Sequence, residues 1–169
     1  GNAVIAGNLS LGNAVGGDLY VGGNWTKTTG TFAPNGREVR FTGTAHQSIN
    51  NTAGETFAWL TIANAPGSVV TLNDQVTVSN NMSIQAGSAA SNASGKTLAV
   101  GGNFSIGSSA SGTGTFKNSG TLTVAGTTTV QQHLTNQSWY LASPLTGTVT
   151  PTNLTRIQGF NEGVGSGND

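Results

Sequence analysis

Apolar and polar residues alternate along this chain in short bursts, and the bursts repeat. Leu19-Tyr20-Val21-Gly22-Gly23-Asn24-Trp25-Thr26 sets the pattern: two apolar residues around one outward position, two glycines, an asparagine, then another apolar residue. The pattern returns as Leu98-Ala99-Val100-Gly101-Gly102-Asn103-Phe104-Ser105 and, worn, as Ala3-Val4-Ile5-Ala6-Gly7-Asn8-Leu9-Ser10. With the first apolar residue as origin, units begin at Ala3, Leu19, Val39, Leu60, Val76, Leu98 and Leu122. Their spacing of roughly 20 residues lies in the range of solenoid repeats. A period of two predicts strands with one face inward and one outward. One such unit cannot bury its apolar face alone, but stacked units close one another's core. The pattern therefore predicts an all-β fold, an irregular right-handed parallel β-solenoid (β-helix) of about seven coils with strands about 4.8 Å apart. No stretch carries the period of an amphipathic helix.

The punctuation between bursts predicts the corners. Gly22, Gly23, Gly101 and Gly102 are expected to supply the positive φ that a turn between short strands requires. Asn8, Asn24, Asn81 and Asn103 occupy the same position in their units and are expected to stack as a ladder of side-chain amides. Pro34-Asn35-Gly36 and Ala65-Pro66-Gly67 read as turns, and 88–95 and 107–114 as loops on the coil surface. From about Gln131 the Gly-Asn punctuation stops. Trp139-Tyr140-Leu141, Thr146-Gly147-Thr148-Val149 and Ile157-Gln158-Gly159-Phe160 then read as the first strands of a different, sandwich-like β domain. The expected division is a solenoid stalk over 1–130 and the beginning of a second, incomplete β domain over 131–169, whose sheet edges need cover from elsewhere.

Composition narrows the function. Charged residues make up 7% of the chain and the net charge is zero, so nothing draws it electrostatically to nucleic acid or to an anionic membrane. No apolar run approaches the roughly 20 residues of a spanning helix, and no membrane insertion is expected. The absence of cysteine fits an extracellular protein stabilised by repetition. The regular supply of Val, Ile and Leu argues against disorder despite 26 glycines. Gly1 opens inside a unit, with no initiator Met or leader, which reads as a processed or excised piece of something longer.

Few residues carry candidate chemistry. Asp18 and Glu38 each stand one residue before a unit start, and Trp59 holds the same place one unit on. Stacked on adjacent coils, the two carboxylates suit a shared proton or a cation, or a solvated face neutralised by Arg37 and Arg40. Trp59 and Tyr20 are candidate platforms for sugar rings, with packing of Trp59 under a lengthened turn as the competing expectation. Thr61, Thr77, Thr97, Thr121 and Thr123 sit at outward positions, but Tyr20 and Arg40 break any flat threonine lattice. Gly16-Gly17-Asp18 begins like a calcium-binding nonapeptide and does not recur. His46 and His133 lack partners at metal-ligand spacing, and Ser143-Pro144 has no nucleophile elbow around it. No catalytic residue, metal site or cofactor is expected.

The order of the motifs carries a family likeness. Gly22-Gly23-Asn24-Trp25-Thr26, Gly30-Thr31-Phe32, Val39-Arg40-Phe41-Thr42-Gly43-Thr44, Gln47-Ser48-Ile49, Phe57-Ala58-Trp59-Leu60-Thr61-Ile62, Val70-Thr71-Leu72-Asn73 and Val76-Thr77-Val78 follow one another. In this order the chain resembles the repetitive surface and secreted proteins of Bacteroidetes that leave the cell by the type IX secretion system. Trp139-Tyr140-Leu141-Ala142-Ser143-Pro144 with Phe160-Asn161-Glu162 is similar to the segment that follows their β-helical stalks. The resemblance implies a rigid, adhesive, non-enzymatic stalk at the cell surface, with outer-membrane secretion machinery or surface polysaccharide as partner. Three other readings stay open: a filament subunit that self-associates by end-to-end coil stacking, a polysaccharide-binding module built on Asp18, Glu38, Trp59 and Tyr20, and an enzyme, which needs an acidic cluster on several adjacent coils where only the Asp18 and Glu38 pair is visible.

Overall fold

The computed structural model describes residues 1–133. The expected second β domain falls at 134–169, outside the described residues, with only 131–133 of its proposed span inside them. The described chain is a parallel β-solenoid of six turns, each contributing one strand to each of three faces, and no helix occurs among the described residues. The first face stacks Ala3–Ile5, Trp25–Lys27, Gln47–Asn50, Val70–Leu72, Ala89–Asn92 and Thr115–Asn118. The third face stacks Leu19–Val21, Glu38–Phe41, Trp59–Ile62, Met82–Ile84, Phe104–Ile106 and Thr128–Val130. The second strands of the turns form two separate ladders. Leu9–Ser10 pairs with Phe32–Ala33, and Glu55–Phe57, Val76–Val78, Thr97–Val100 and Thr121–Val124 pair among themselves. Strand pairing on this face is thus interrupted between the second and third turns.

Alternation builds the core directly. On the third face Val21, Phe41, Ile62, Ile84 and Ile106 stand in one inward column, and Val39, Leu60, Met82 and Phe104 in another. On the second face Phe57, Val78, Val100 and Val124 form a column, beside Glu55, Val76, Leu98 and Leu122. Phe41, Phe57, Ile49, Leu72 and Leu98 are completely buried. At the second and third turns Trp25, Phe32 and Phe57 meet as an aromatic trio: Trp25 lies 4.8 Å from Phe32 and 5.2 Å from Phe57, both edge-on. Edge-to-face pairs of this kind add about 0.5–1.5 kcal/mol beyond the area they bury.

Two expectations change. Six turns replace seven because the seven bursts lie on three faces: Ala3 on the first, Leu19, Val39 and Leu60 on the third, Val76, Leu98 and Leu122 on the second. Equivalent bursts look alike in sequence because every corner uses the same Gly and Asn chemistry. The stretch 88–95 is not a surface loop. Ala89–Asn92 is a strand of the first face, with Ser88, Ala90 and Asn92 buried. Its small residues read as loop because the wall there needs little volume, Ala90 standing between Val70 and Phe116. The stretch 107–114 does leave the coil, as a short antiparallel pair of Ser108–Ser109 with Gly112–Thr113. Both predicted turns form. Arg37 N–H donates to Pro34 O at 2.8 Å around Asn35 and Gly36, both at positive φ, and Ser68 N–H donates to Ala65 O at 3.1 Å with Gly67 at φ 84°.

Candidate functional site

The outward side of the third face carries the carbohydrate and cation candidates. Glu38 is paired with Trp59, and the same register places Asp18 before Glu38 and Asn81, Asn103 and Thr127 after Trp59. Two residues along, Tyr20, Arg40, Thr61, Ser83, Ser105 and Thr129 form a second outward column. Between them runs an open groove of about 690 Å³ that includes Asp18, Glu38, Trp59 and Asn103. The predicted juxtaposition of Asp18, Glu38 and Trp59 is therefore present, because all three stand at the starting edge of strands of one face. Trp59 is 40% exposed and Tyr20 65%, so Trp59 does not pack beneath a lengthened turn. Thr61 lies on the groove floor, buried, with its hydroxyl 2.9 Å from that of Ser83.

The charges in this groove are only partly as expected. Asp18 Oδ1 accepts the backbone N–H of Glu38 at 2.9 Å, so one of its oxygens is committed to holding two turns in register. Glu38 lies 3.9 Å from Arg40, a half-buried pair whose length and partial exposure to water leave it contributing little to stability. Arg37, also on the groove wall, donates to Ala14 O at 2.9 Å. No group of three or more His, Cys, Asp or Glu residues suited to a metal ion occurs among the described residues. His46 is exposed, and its Nδ1 accepts the N–H of Val69 at 3.1 Å. The arrangement suits a polyhydroxylated chain: an indole face for a ring, hydroxyls and amides turn after turn, and a carboxylate with an arginine at one end.

The asparagines hold turns together, but not as one amide ladder. Asn8, Asn24, and the pair Asn81 and Asn103 lie at three different corners. In each, Oδ1 accepts a backbone N–H from the next turn: Asn8 from Thr31 at 3.1 Å, Asn24 from Ser48 at 2.9 Å, Asn81 from Asn103 at 2.8 Å and Asn103 from Thr127 at 2.9 Å. The glycines beside them serve this contact. Gly22, Gly23, Gly101 and Gly102 do not have positive φ. A Cβ on Gly23 would collide with Oδ1 of Asn2, and one on Gly102 with Oδ1 of Asn81. A Cβ on Gly101 would meet the carbonyl of Ser79, and one on Gly22 the backbone nitrogen of Gly1. The Gly-Asn pair is thus a space requirement between turns. Positive φ falls instead on Gly30, Gly54, Gly67, Gly87 and Gly95, among others, at separate corners.

A second polar cluster lies inside the solenoid, and the sequence reading missed it. Glu55 occupies an inward position, in phase with Phe57, and is 4% exposed. Its Oε1 accepts from Lys27 Nζ at 2.9 Å, and its Oε2 from Trp25 Nε1 at 2.9 Å and Asn51 Nδ2 at 3.4 Å. Asn51, also buried, donates to Gly54 O as well, and its Oδ1 accepts the N–H of Ala53 at 3.2 Å. The backbone N–H of Asn51 donates to Asp74 Oδ2 at 2.9 Å, and Asp74 Oδ1 accepts from Lys96 Nζ at 3.0 Å. A polar line therefore runs from Lys27 to Lys96 along one corner of four successive turns. The available signal was phase: Lys27 follows Trp25 by two, and Glu55 precedes Phe57 by two. Buried Gln47 works similarly at another corner, accepting from Gly43 N–H at 2.9 Å and donating to Val21 O at 3.0 Å and Gly23 O at 2.6 Å.

Comparison with protein-family models, with curated proteins and with solved structures finds no match to this chain.

Proposed function

We propose that this chain is a rigid spacer, a β-solenoid stalk segment of a secreted or cell-surface protein, and that its work is positional. One observation carries the reading: four successive turns share an unbroken column of buried side chains, from Val39 and Phe41 through Leu60 and Ile62 to Met82 and Phe104, fastened outside by asparagines bridging turn to turn. Each turn is supported only by its neighbours, so length is gained without a larger core. The order of the motifs supports export by a type IX system and a place on the cell surface. Immunogold electron microscopy of intact producing cells, with antibody to 1–133, tests this. Label on slender surface projections is the expected result. Label confined to the cell interior overturns it, and long uniform filaments made of this chain alone replace the spacer with a polymer.

A second reading has its own observation, the third-face groove with Trp59 at its wall. Successive turns rise by about 4.8 Å, close to the advance of one sugar in an extended glycan, so the groove suits a linear surface polysaccharide lying along the axis. Trp59→Ala removes the exposed indole without touching the core. Binding to a glycan array is expected to fall at least tenfold, the equivalent of about 1.4 kcal/mol. Undiminished binding by this variant sinks the platform.

A further inference from the structure

Lys27 and Asn51 face each other across the second and third turns. Trp25 is paired with Ile49 and Thr26 with Asn50, so the next pair in register is Lys27 with Asn51. Trp25 and Ile49 point inward, and alternation turns Lys27 and Asn51 inward too. Glu55 joins them, one carboxylate oxygen on the lysine amine at 2.9 Å and the other 3.4 Å from the asparagine amide nitrogen. The Lys27 side chain is 14% exposed and that of Glu55 2%, against the aromatic trio of Trp25, Phe32 and Phe57. The cluster also sits where strand pairing on the second face is interrupted, between Phe32–Ala33 and Glu55–Phe57. At that junction fewer backbone hydrogen bonds hold the turns together.

From this juxtaposition we propose that Lys27 and Asn51 are joined by an intramolecular isopeptide bond, with Glu55 as the proton carrier. The lysine ammonium first passes a proton to Glu55 along their hydrogen bond of 2.9 Å, leaving a neutral amine and a neutral acid. The Nζ lone pair attacks Cγ of Asn51, and the carbonyl electron pair moves onto Oδ1. The N–H of Ala53 already points at that oxygen and stabilises the charge developing there. Glu55 gives its proton to Nδ2 and takes the surplus proton from Nζ. The Cγ–Nδ2 bond breaks, the carbonyl reforms and ammonia leaves. Amine and carboxamide become a secondary amide and ammonia, with no oxidant or cofactor. Trp25 Nε1, 2.9 Å from Oε2, orients the carboxylate. The product staples the second turn to the third at the interrupted junction and suits a spacer under load.

Mass spectrometry of the folded chain tests the proposal. The intact mass is expected to fall short of the sequence mass by one ammonia. After denaturation, trypsin is expected to leave Lys27 uncut and to release peptide 1–37 joined to peptide 41–96, since the flanking cleavage sites are Arg37, Arg40 and Lys96. Glu55→Gln keeps an acceptor for Trp25, and Asn51→Ala removes the electrophile. Each is expected to restore the full mass and separate the two peptides, with a β-sheet circular dichroism spectrum confirming that the variant folds. A full native mass with Lys27 cleaved overturns the bond, whether or not the variants fold. Loss of ammonia as a succinimide at Asn35-Gly36, with Lys27 cleaved, also overturns it. A joined peptide pair that persists in folded Glu55→Gln overturns the role of Glu55.

Discussion

Phe57→Ala is expected to lower the stability of the solenoid by about 3–5 kcal/mol, read as a shift of the urea midpoint. Phe57 is completely buried and packs on both Trp25 and Phe32. It stands at the junction where the second-face strands of the second and third turns are not paired. Elsewhere a truncated side chain leaves backbone ladders on three faces to hold adjacent turns. Here the aromatic trio is much of what fills the gap on one face, and a cavity opens where relaxation would expose the turn above. Val124→Ala, in the same inward column but at the last turn and only partly buried, serves as the control and is expected to cost well under half as much. Equal losses at the two sites would mean that the trio has no special role at the junction.

In the Asn51→Ala background, where Lys27 stays a free amine beside Glu55, adding Lys27→Met is expected to cost about 3–5 kcal/mol, the penalty for removing one partner of a buried ion pair. Glu55 keeps its place, with Trp25 as donor, but loses the cation that balances its charge in the interior. Lys96→Met supplies the contrast. Its partner Asp74 lies at 3.0 Å, but the Lys96 side chain is 37% exposed, and water offsets the loss to about 0–1 kcal/mol. Adding Glu55→Leu to Lys27→Met should recover most of the deficit, because two apolar groups replace the whole pair. Both of those variants lack the lysine amine, so the comparison does not depend on a covalent link. A double variant no more stable than Lys27→Met would show that lost packing, rather than the stranded charge, sets the cost.

The groove and the buried cluster differ in how legible they were. Asp18, Glu38 and Trp59 stand at matching places before Leu19, Val39 and Leu60, and these three bursts belong to one face, so counting from them aligned the column correctly. The asparagines were found for the right reason, that they bridge turns, but with the wrong partner. A side-chain oxygen meets a backbone N–H there because the neighbouring glycine leaves room for it. Glu55 was passed over because a carboxylate at an inward position looks like a break in the apolar pattern. Its donors, Lys27, Trp25 and Asn51, come from the turn before and from its own corner, and their convergence has no local signature.

By itself the sequence determined which apolar side chains of the bursts point inward, because strand alternation is a local property of the backbone that short apolar bursts report directly. It determined the turns at Pro34-Asn35-Gly36 and Ala65-Pro66-Gly67, where the residues preset the dihedral angles. Only the tertiary structure decided which face each burst joins and therefore which residues become neighbours. Corner lengths vary from turn to turn, so Val70 stands opposite Ala90 while its own successor strand places Ala89 opposite Thr115. Register between coils is settled by hydrogen bonds and packing accumulated across the whole stack, a sum that no single repeat contains.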